Sequence, residues 1–182
     1  MTPSEMESIF QTTVLPPTEQ VMTEEVIVTK EASTQNLVYS LVEYASFTYQ
    51  LNTQAHLLHI NIESPLFLSL HEFLKTQYEQ HLADFDLVSE LVRSMDFLLP
   101  TCQCGLMDAY KGFNSVKTNE AKEGLVIYTK NLETAGFMAK DVVEAAKEVG
   151  APDVENELAA ITGRCFKSAW MMKATLRTAS FI

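Results

Sequence analysis

From Thr34 onward, apolar residues recur at intervals of three, four or seven, the period of a helix with one buried face. The first run comprises Leu37, Leu41, Tyr44, Leu51, Ala55, Leu58 and Ile62, and Ser64-Pro65 interrupts it. A second run, Leu70, Leu74, Tyr78, Leu82, Phe85, Val88 and Val92, fades at Leu99-Pro100. A connector from Asp96 to Ser115 follows, holding Pro100, Gly105 and Gly112, with a short helix predicted over Leu106–Tyr110. The third run is Ala121, Leu125, Tyr128, Leu132, Ala135, Met138, Val142, Ala145 and Val149. It stops at Gly150-Ala-Pro152, a C-terminal glycine with proline behind it. The last is Val154, Leu158, Ile161, Cys165, Ala169, Met172 and Leu176. Four amphipathic helices of roughly 25–30 residues, up to ~45 Å long, with the longest connection in the middle, predict an all-α four-helix bundle.

Ahead of that pattern, residues 1–33 are rich in Thr, Glu and Pro, include Pro16-Pro17 and show no sustained period. They are predicted to form an extended or partly disordered arm, with a short extended stretch at Val26–Val28. The bundle then occupies 34–178 and a short tail 179–182.

Composition narrows the function. The 182 residues are 47% hydrophobic and 20% charged, so the chain is neither disordered nor fibrous. Six glycines and six prolines are too few for the turns of an all-β sandwich. The net charge of −11 repels nucleic-acid phosphates and anionic membrane surfaces. No apolar run approaches the ~20 residues of a membrane span, and the start lacks a signal-peptide pattern, so a soluble cytoplasmic protein is expected. Three cysteines make no disulfide framework, and Cys102-x-Cys104 is spaced too closely for a usual zinc pair, so both read as incidental loop thiols.

The candidate chemistry is concentrated. His56, His59, His71 and His81 lie within 26 residues across the first two helices. Asp86 and Glu90, four apart, project from one face of the second helix. His71 and Asp86 are separated by about 22 Å along that helix, far beyond ligand bonds near 2 Å. If these residues share a metal, His71 must meet Asp86 and Glu90 of a second, antiparallel copy. The reversal over residues 60–69 can carry His59 back beside His71. Mixed imidazole and carboxylate donors suit iron or zinc better than calcium or magnesium. Scattered carboxylates and solvated histidines on an amphipathic surface are the competing reading.

The segment His59-Ile-Asn-Ile-Glu-Ser-Pro-Leu-Phe-Leu-Ser-Leu-His71-Glu72, followed by Asp86-Leu-Val-Ser-Glu90, resembles the signature of the Dps-type miniferritins. Phe67 stands where that family has an aromatic, and Trp170-Met-Met-Lys resembles the tryptophan region of its last helix. The resemblance covers about residues 35–178. It implies a ferritin-like bundle with a short helix in the crossover, assembled as a hollow dodecamer of two-fold dimers. It also implies ferroxidase centres in which His59 and His71 of one subunit face Asp86 and Glu90 of its mate. There Fe(II) is oxidised by hydrogen peroxide or dioxygen, and ferric mineral is stored in the cage.

Two departures qualify that expectation. Lys75 occupies the place of a family aspartate, and an ammonium there repels a cation unless a salt bridge engages it. His81 and His56 are candidates for the missing ligand, although His81 points away from the Asp86/Glu90 face and His56 shares a face with His59. Ile60 replaces a frequent tryptophan, leaving Tyr44, Tyr49 or Tyr78 as substitute radical quenchers. Asp153, Glu155 and Glu157 resemble a three-fold pore region, or else serve the helix macrodipole. Phe166, where a pore aspartate is expected, would make a hydrophobic constriction, and Glu72 offers a carboxylate for nucleation.

DNA binding is not expected, because the arm carries six glutamates against the single Lys30. The alternative function is a non-catalytic zinc- or iron-binding shell whose two-iron site Lys75 has altered. A plain helical bundle with an accidental motif is the structural rival.

Overall fold

The computed structural model describes residues 24–178, with side chains from 31 to 177. Five helices are described: α1 (Glu24–Asn61), α2 (Phe67–Ser94), α3 (Gln103–Ala109), α4 (Ala121–Val149) and α5 (Pro152–Thr178). No strand occurs among the described residues. No helix there is long and apolar enough to cross a membrane.

Three of the four long helices contribute the stripe their period predicts. Leu37, Leu41, Tyr44, Leu51 and Ala55 from α1 are buried, as are Leu125, Tyr128, Leu132, Ala135 and Val142 from α4. Val154, Leu158, Ile161, Cys165, Ala169 and Met172 of α5 complete one continuous core. At ~25 cal/mol per Å² of apolar area, the joint burial of these stripes outweighs any single helix propensity.

The topology follows from the connections. A short turn makes α1 and α2 an antiparallel hairpin, and α4 and α5 form a second one at Gly150. There φ is +78°, and the Gly150 N–H donates to the carbonyls of Ala146 and Lys147. That left-handed geometry is the one the C-terminal glycine was expected to supply. Leu58 lies near Gly124, and Asn131 Nδ2 donates to Gln54 Oε1 at 2.8 Å, so α1 and α4 run antiparallel. The crossover carries α3 and is tied down where Gln54 and Asn131 both donate to the Asn114 carbonyl, at 3.0 and 2.7 Å.

Two expectations change. α1 is described from Glu24 onward, so Val26–Val28 is helical and residues 24–33 belong to the bundle's first helix. No helix breaker separates Pro17 from Ser64, and a helix nucleated by the packed stripe propagates backward cheaply once its first turn exists. The remainder of the predicted arm and the tail 179–182 lie outside the described residues. In α2 the core face is also not the one its apolar residues suggest. Its buried positions are Leu70, Leu74, Gln77, His81, Asp84, Val88 and Val92, while Leu82 is 52% exposed.

Between α4 and α5, the Phe166 ring lies flat against Gly136. A Cβ built at Gly136 would sit 2.9 Å from the ring. Gly136→Val should therefore overpack this contact and cost about 1–3 kcal/mol. The loss appears as a lower unfolding midpoint in urea, and Phe166→Leu in the same chain should recover part of it.

Candidate metal centre

The α1–α2 turn builds the site. Ser64 opens the turn, accepting from Leu66 N–H through its hydroxyl and from Phe67 N–H through its carbonyl. This tight reversal brings the last turn of α1 against the first turn of α2. His59 and His71 meet there with ring centroids 3.7 Å apart and planes 20° from parallel.

Their hydrogen bonds are reciprocal. His59 Nδ1 lies 2.8 Å from the His71 carbonyl, and His71 Nδ1 lies 2.9 Å from the His59 carbonyl. A carbonyl has no proton to give, so both Nδ1 atoms must carry theirs and donate. With Nδ1 as the donor, Nε2 is the ring nitrogen left to face a ligand, and no hydrogen bond engages either Nε2 among the described residues. This is the tautomer a metal-ligating histidine adopts, with a backbone carbonyl as the outer partner. The His59 carbonyl is one of the four that α1 leaves without a helical partner, so His71 also caps the helix.

Other rings surround the pair. Phe67 stacks on His71 with centroids 4.9 Å apart. Tyr78 sets its ring edge-on to His59 at 5.3 Å and stacks on His56 at 4.2 Å, 22° from parallel. His56 is exposed, with its ring 6.1 Å from that of His59.

The remaining predicted ligands lie elsewhere. Asp86 and Glu90 are exposed on α2, and neither makes an ion pair among the described residues. No three His, Cys, Asp or Glu residues come together as a cluster among the described residues. One chain therefore offers two nitrogen donors at one end of α2 and two carboxylates about 22 Å along it. Lys75 is exposed one turn beyond His71 and makes no ion pair within the described chain. Exposed apolar side chains flank these groups: Ile60 at 62%, Leu68 at 81%, and Leu82 one turn before Asp86.

His81 is removed from the site, contrary to the expectation that it could supply the missing ligand. It is buried in the bundle, and its Nε2 lies 2.9 Å from the Tyr128 hydroxyl. Burial pulls its pKa from 6.5 down to about 3, so the ring is neutral and shares a hydrogen bond with the phenol. Beside it, Asp84 accepts from Arg164 at 2.6 Å and from Gln80 at 3.0 Å. Tyr44 contacts the Cys165 thiol at 3.9 Å, and burial pushes that thiol up to about 12. Sequence reasoning missed this polar layer. Its one signal was that His81 and Asp84 fall at helical spacing from Leu74 and Val88.

The pore candidates separate as well. Asp153, Glu155 and Glu157 begin α5, at the end of the bundle opposite the histidine pair. Phe166 lies about 20 Å beyond Asp153 and about 14 Å beyond Glu157 along the helix, edge-on to the exposed Phe137 at 5.2 Å. Cys102 and Cys104 are free and exposed, and the Cys102 thiol accepts from Gly105 N–H as the cap of α3.

A pH dependence follows from His81. The unfolded chain takes up the imidazole proton near pH 6.5, whereas the folded chain resists it until about 3. This contribution is complete above pH 6.5 and is lost on acidification, by up to about 1.4 kcal/mol per pH unit. His81→Gln, which can still hydrogen-bond Tyr128, should flatten that slope in urea unfolding measured from neutral pH into this acid window.

Comparison with known proteins places the bundle. The ferritin-like domain family model matches residues 40–182. No curated protein matches the chain in sequence. Among solved structures, Dps from Thermosynechococcus elongatus superposes with a TM-score of 0.77 at 16% identity, covering 81% of this chain and 94% of that one. A Dps protein from Bacillus brevis gives 0.74 at 20%, covering 80% and 97%. The Dps protein of Vibrio cholerae O1, a member of the ferritin-like diiron-carboxylate superfamily, gives 0.69 at 18%, covering 80% and 91%.

Proposed function

The chain belongs to the ferritin-like family, with the bundle seen in Dps proteins, and we propose that it oxidises Fe(II) with hydrogen peroxide or dioxygen and stores the ferric product in a dodecameric cage. The observation that carries this reading is the His59/His71 pair, locked by its own backbone with both Nε2 lone pairs free. Two nitrogens alone hold iron weakly, so the centre is completed by a two-fold mate. An antiparallel second α2 sets its Asp86 and Glu90 opposite these imidazoles and generates two equivalent centres per dimer. Exposed Ile60, Leu68 and Leu82 supply apolar surface for that contact.

The donor set explains the direction of the reaction. Carboxylate oxygens favour the harder ferric ion, which lowers the reduction potential, while open positions admit the oxidant. Two Fe(II), one peroxide and two protons give two Fe(III) and two waters. Exposed His56, one turn from His59, is the candidate to supplement the ligands where Lys75 stands. Twelve chains at −11 each carry about −130, a field that gathers Fe(II) toward acidic openings such as that of Asp153, Glu155 and Glu157. Glu72, exposed one residue beyond His71, is available for nucleating mineral. The same charge disfavours DNA, and a gel shift at low salt should show no complex.

The shared centre has a direct test. His59→Ala with His71→Ala, and separately Asp86→Ala with Glu90→Ala, should each lower iron oxidation on the order of tenfold or more. Co-expressing the two variants should restore a substantial part of the activity, because mixed dimers regain one intact centre. No recovery would place the groups in separate sites. Oxidation no faster than free Fe(II) in the unmodified protein, with zinc bound at the pair, would instead favour a non-catalytic metal-binding shell. Light scattering should give about 245 kDa for the assembly, twelve times 20.4 kDa.

A further inference from the structure

A cavity of about 360 Å³ opens between the C-terminal half of α1, the crossover with α3, and the start of α4. None of the proposed metal ligands lines it. That volume suits a small organic molecule. Leu58, Ile62 and Phe113 give it an apolar lining, and the exposed Met107 of α3 adds to it. Its walls are fixed before any ligand arrives, because Gln54 and Asn131 tie the crossover through the Asn114 carbonyl.

The polar lining is one-sided. Gln50 Nε2 donates to the Tyr110 carbonyl at 3.0 Å, Thr53 Oγ1 to the Tyr49 carbonyl at 3.1 Å, and Asn61 Nδ2 to the Leu57 carbonyl at 2.8 Å. The α1 wall thus spends its donors on the protein, while the side-chain carbonyl oxygens of Gln50 and Asn61 accept no hydrogen bond among the described residues. Glu120 is the one charged side chain in the lining. It makes neither a capping hydrogen bond at the head of α4 nor an ion pair among the described residues. Lys117 and Lys122 flank it in sequence without lining the cavity. A Cβ at Gly124 would stand 3.1 Å from the Leu58 side chain. In these antiparallel helices Glu120, one turn before Gly124, therefore comes level with Asn61, about one turn after Leu58.

We propose that this cavity binds a small organic cation, an ammonium carried on an apolar body. The ammonium N–H groups meet the Glu120 carboxylate and the Asn61 amide oxygen, and the body lies along Leu58 toward Phe113. An anion of the same shape would meet a carboxylate and donors already spent, so the lining refuses it. The site takes no part in iron chemistry and is independent of the ferroxidase reading.

The test is equilibrium dialysis of the assembled full chain at physiological salt against tryptamine, with indolepropionate as a probe of the same ring and opposite charge. Tryptamine should saturate at one per chain and bind about tenfold or more tightly than the anion. Glu120→Gln leaves the head of α4 intact, because that side chain makes no capping bond, and should weaken tryptamine on the order of tenfold. Thr53→Trp, at an exposed position of the wall, should fill the cavity and abolish saturable uptake. No saturable uptake by the unmodified chain, equal affinity for the two probes, or tryptamine affinity unchanged in either variant overturns the proposal.

Discussion

Two hydrogen bonds at the α1–α2 turn orient the imidazoles on which the proposed metal chemistry depends. Each imidazole gives its Nδ1 proton to the other's backbone, so neither ring can rotate, change tautomer or retreat without breaking a bond at both ends. The Nε2 lone pairs are thereby held ready before any ion arrives. Their ordering entropy is spent in folding and is not charged against binding. Because the same bonds cap α1, the stability of the turn and the readiness of the donors are one property.

That arrangement also sets a limit. A straight α2 keeps the imidazole and carboxylate ends of the donor set about 22 Å apart, and no side-chain rotation closes that gap. On the proposed reading these are two halves of one site, and only a symmetry operation joins them. The exposed apolar residues beside both halves have a physical reason in the same proposal, since a surface awaiting its mate is left uncovered in the isolated chain.

Inside the bundle, a polar layer does different work. The Asp84 carboxylate is buried under the Arg164 guanidinium, and removing Arg164 would leave that charge buried and uncompensated, at about 3–5 kcal/mol, whereas Arg164 itself is 39% exposed and keeps part of its solvation. With His81–Tyr128 and Tyr44–Cys165 alongside, this ion pair joins all four long helices at one level of the core. Apolar stripes tolerate sliding by a turn, whereas these pairs match in only one register. The bundle ends then differ in kind, with imidazoles and rings at the α1–α2 turn and acids at the α4–α5 turn.

Helical periodicity made the four long helices, their breaks at Pro65 and Gly150, and most of the core legible from residue order alone. Local backbone chemistry and a 3.6-residue period need no knowledge of neighbours. The motif likewise pointed to His59 and His71 as partners across the reversal. Residue order could not reveal which face of α2 turns inward. Tyr78, Leu82 and Phe85 suit a core better than Gln77, His81 and Asp84 by hydropathy, yet the latter are buried because Tyr128 and Arg164 wait across the bundle to satisfy them. For the same reason His81 could not be told from a ligand until its partner Tyr128 was visible. The reciprocal bonds of the histidine pair and the Tyr78 contact are facts of three-dimensional approach, which spacing along a chain permits but does not specify.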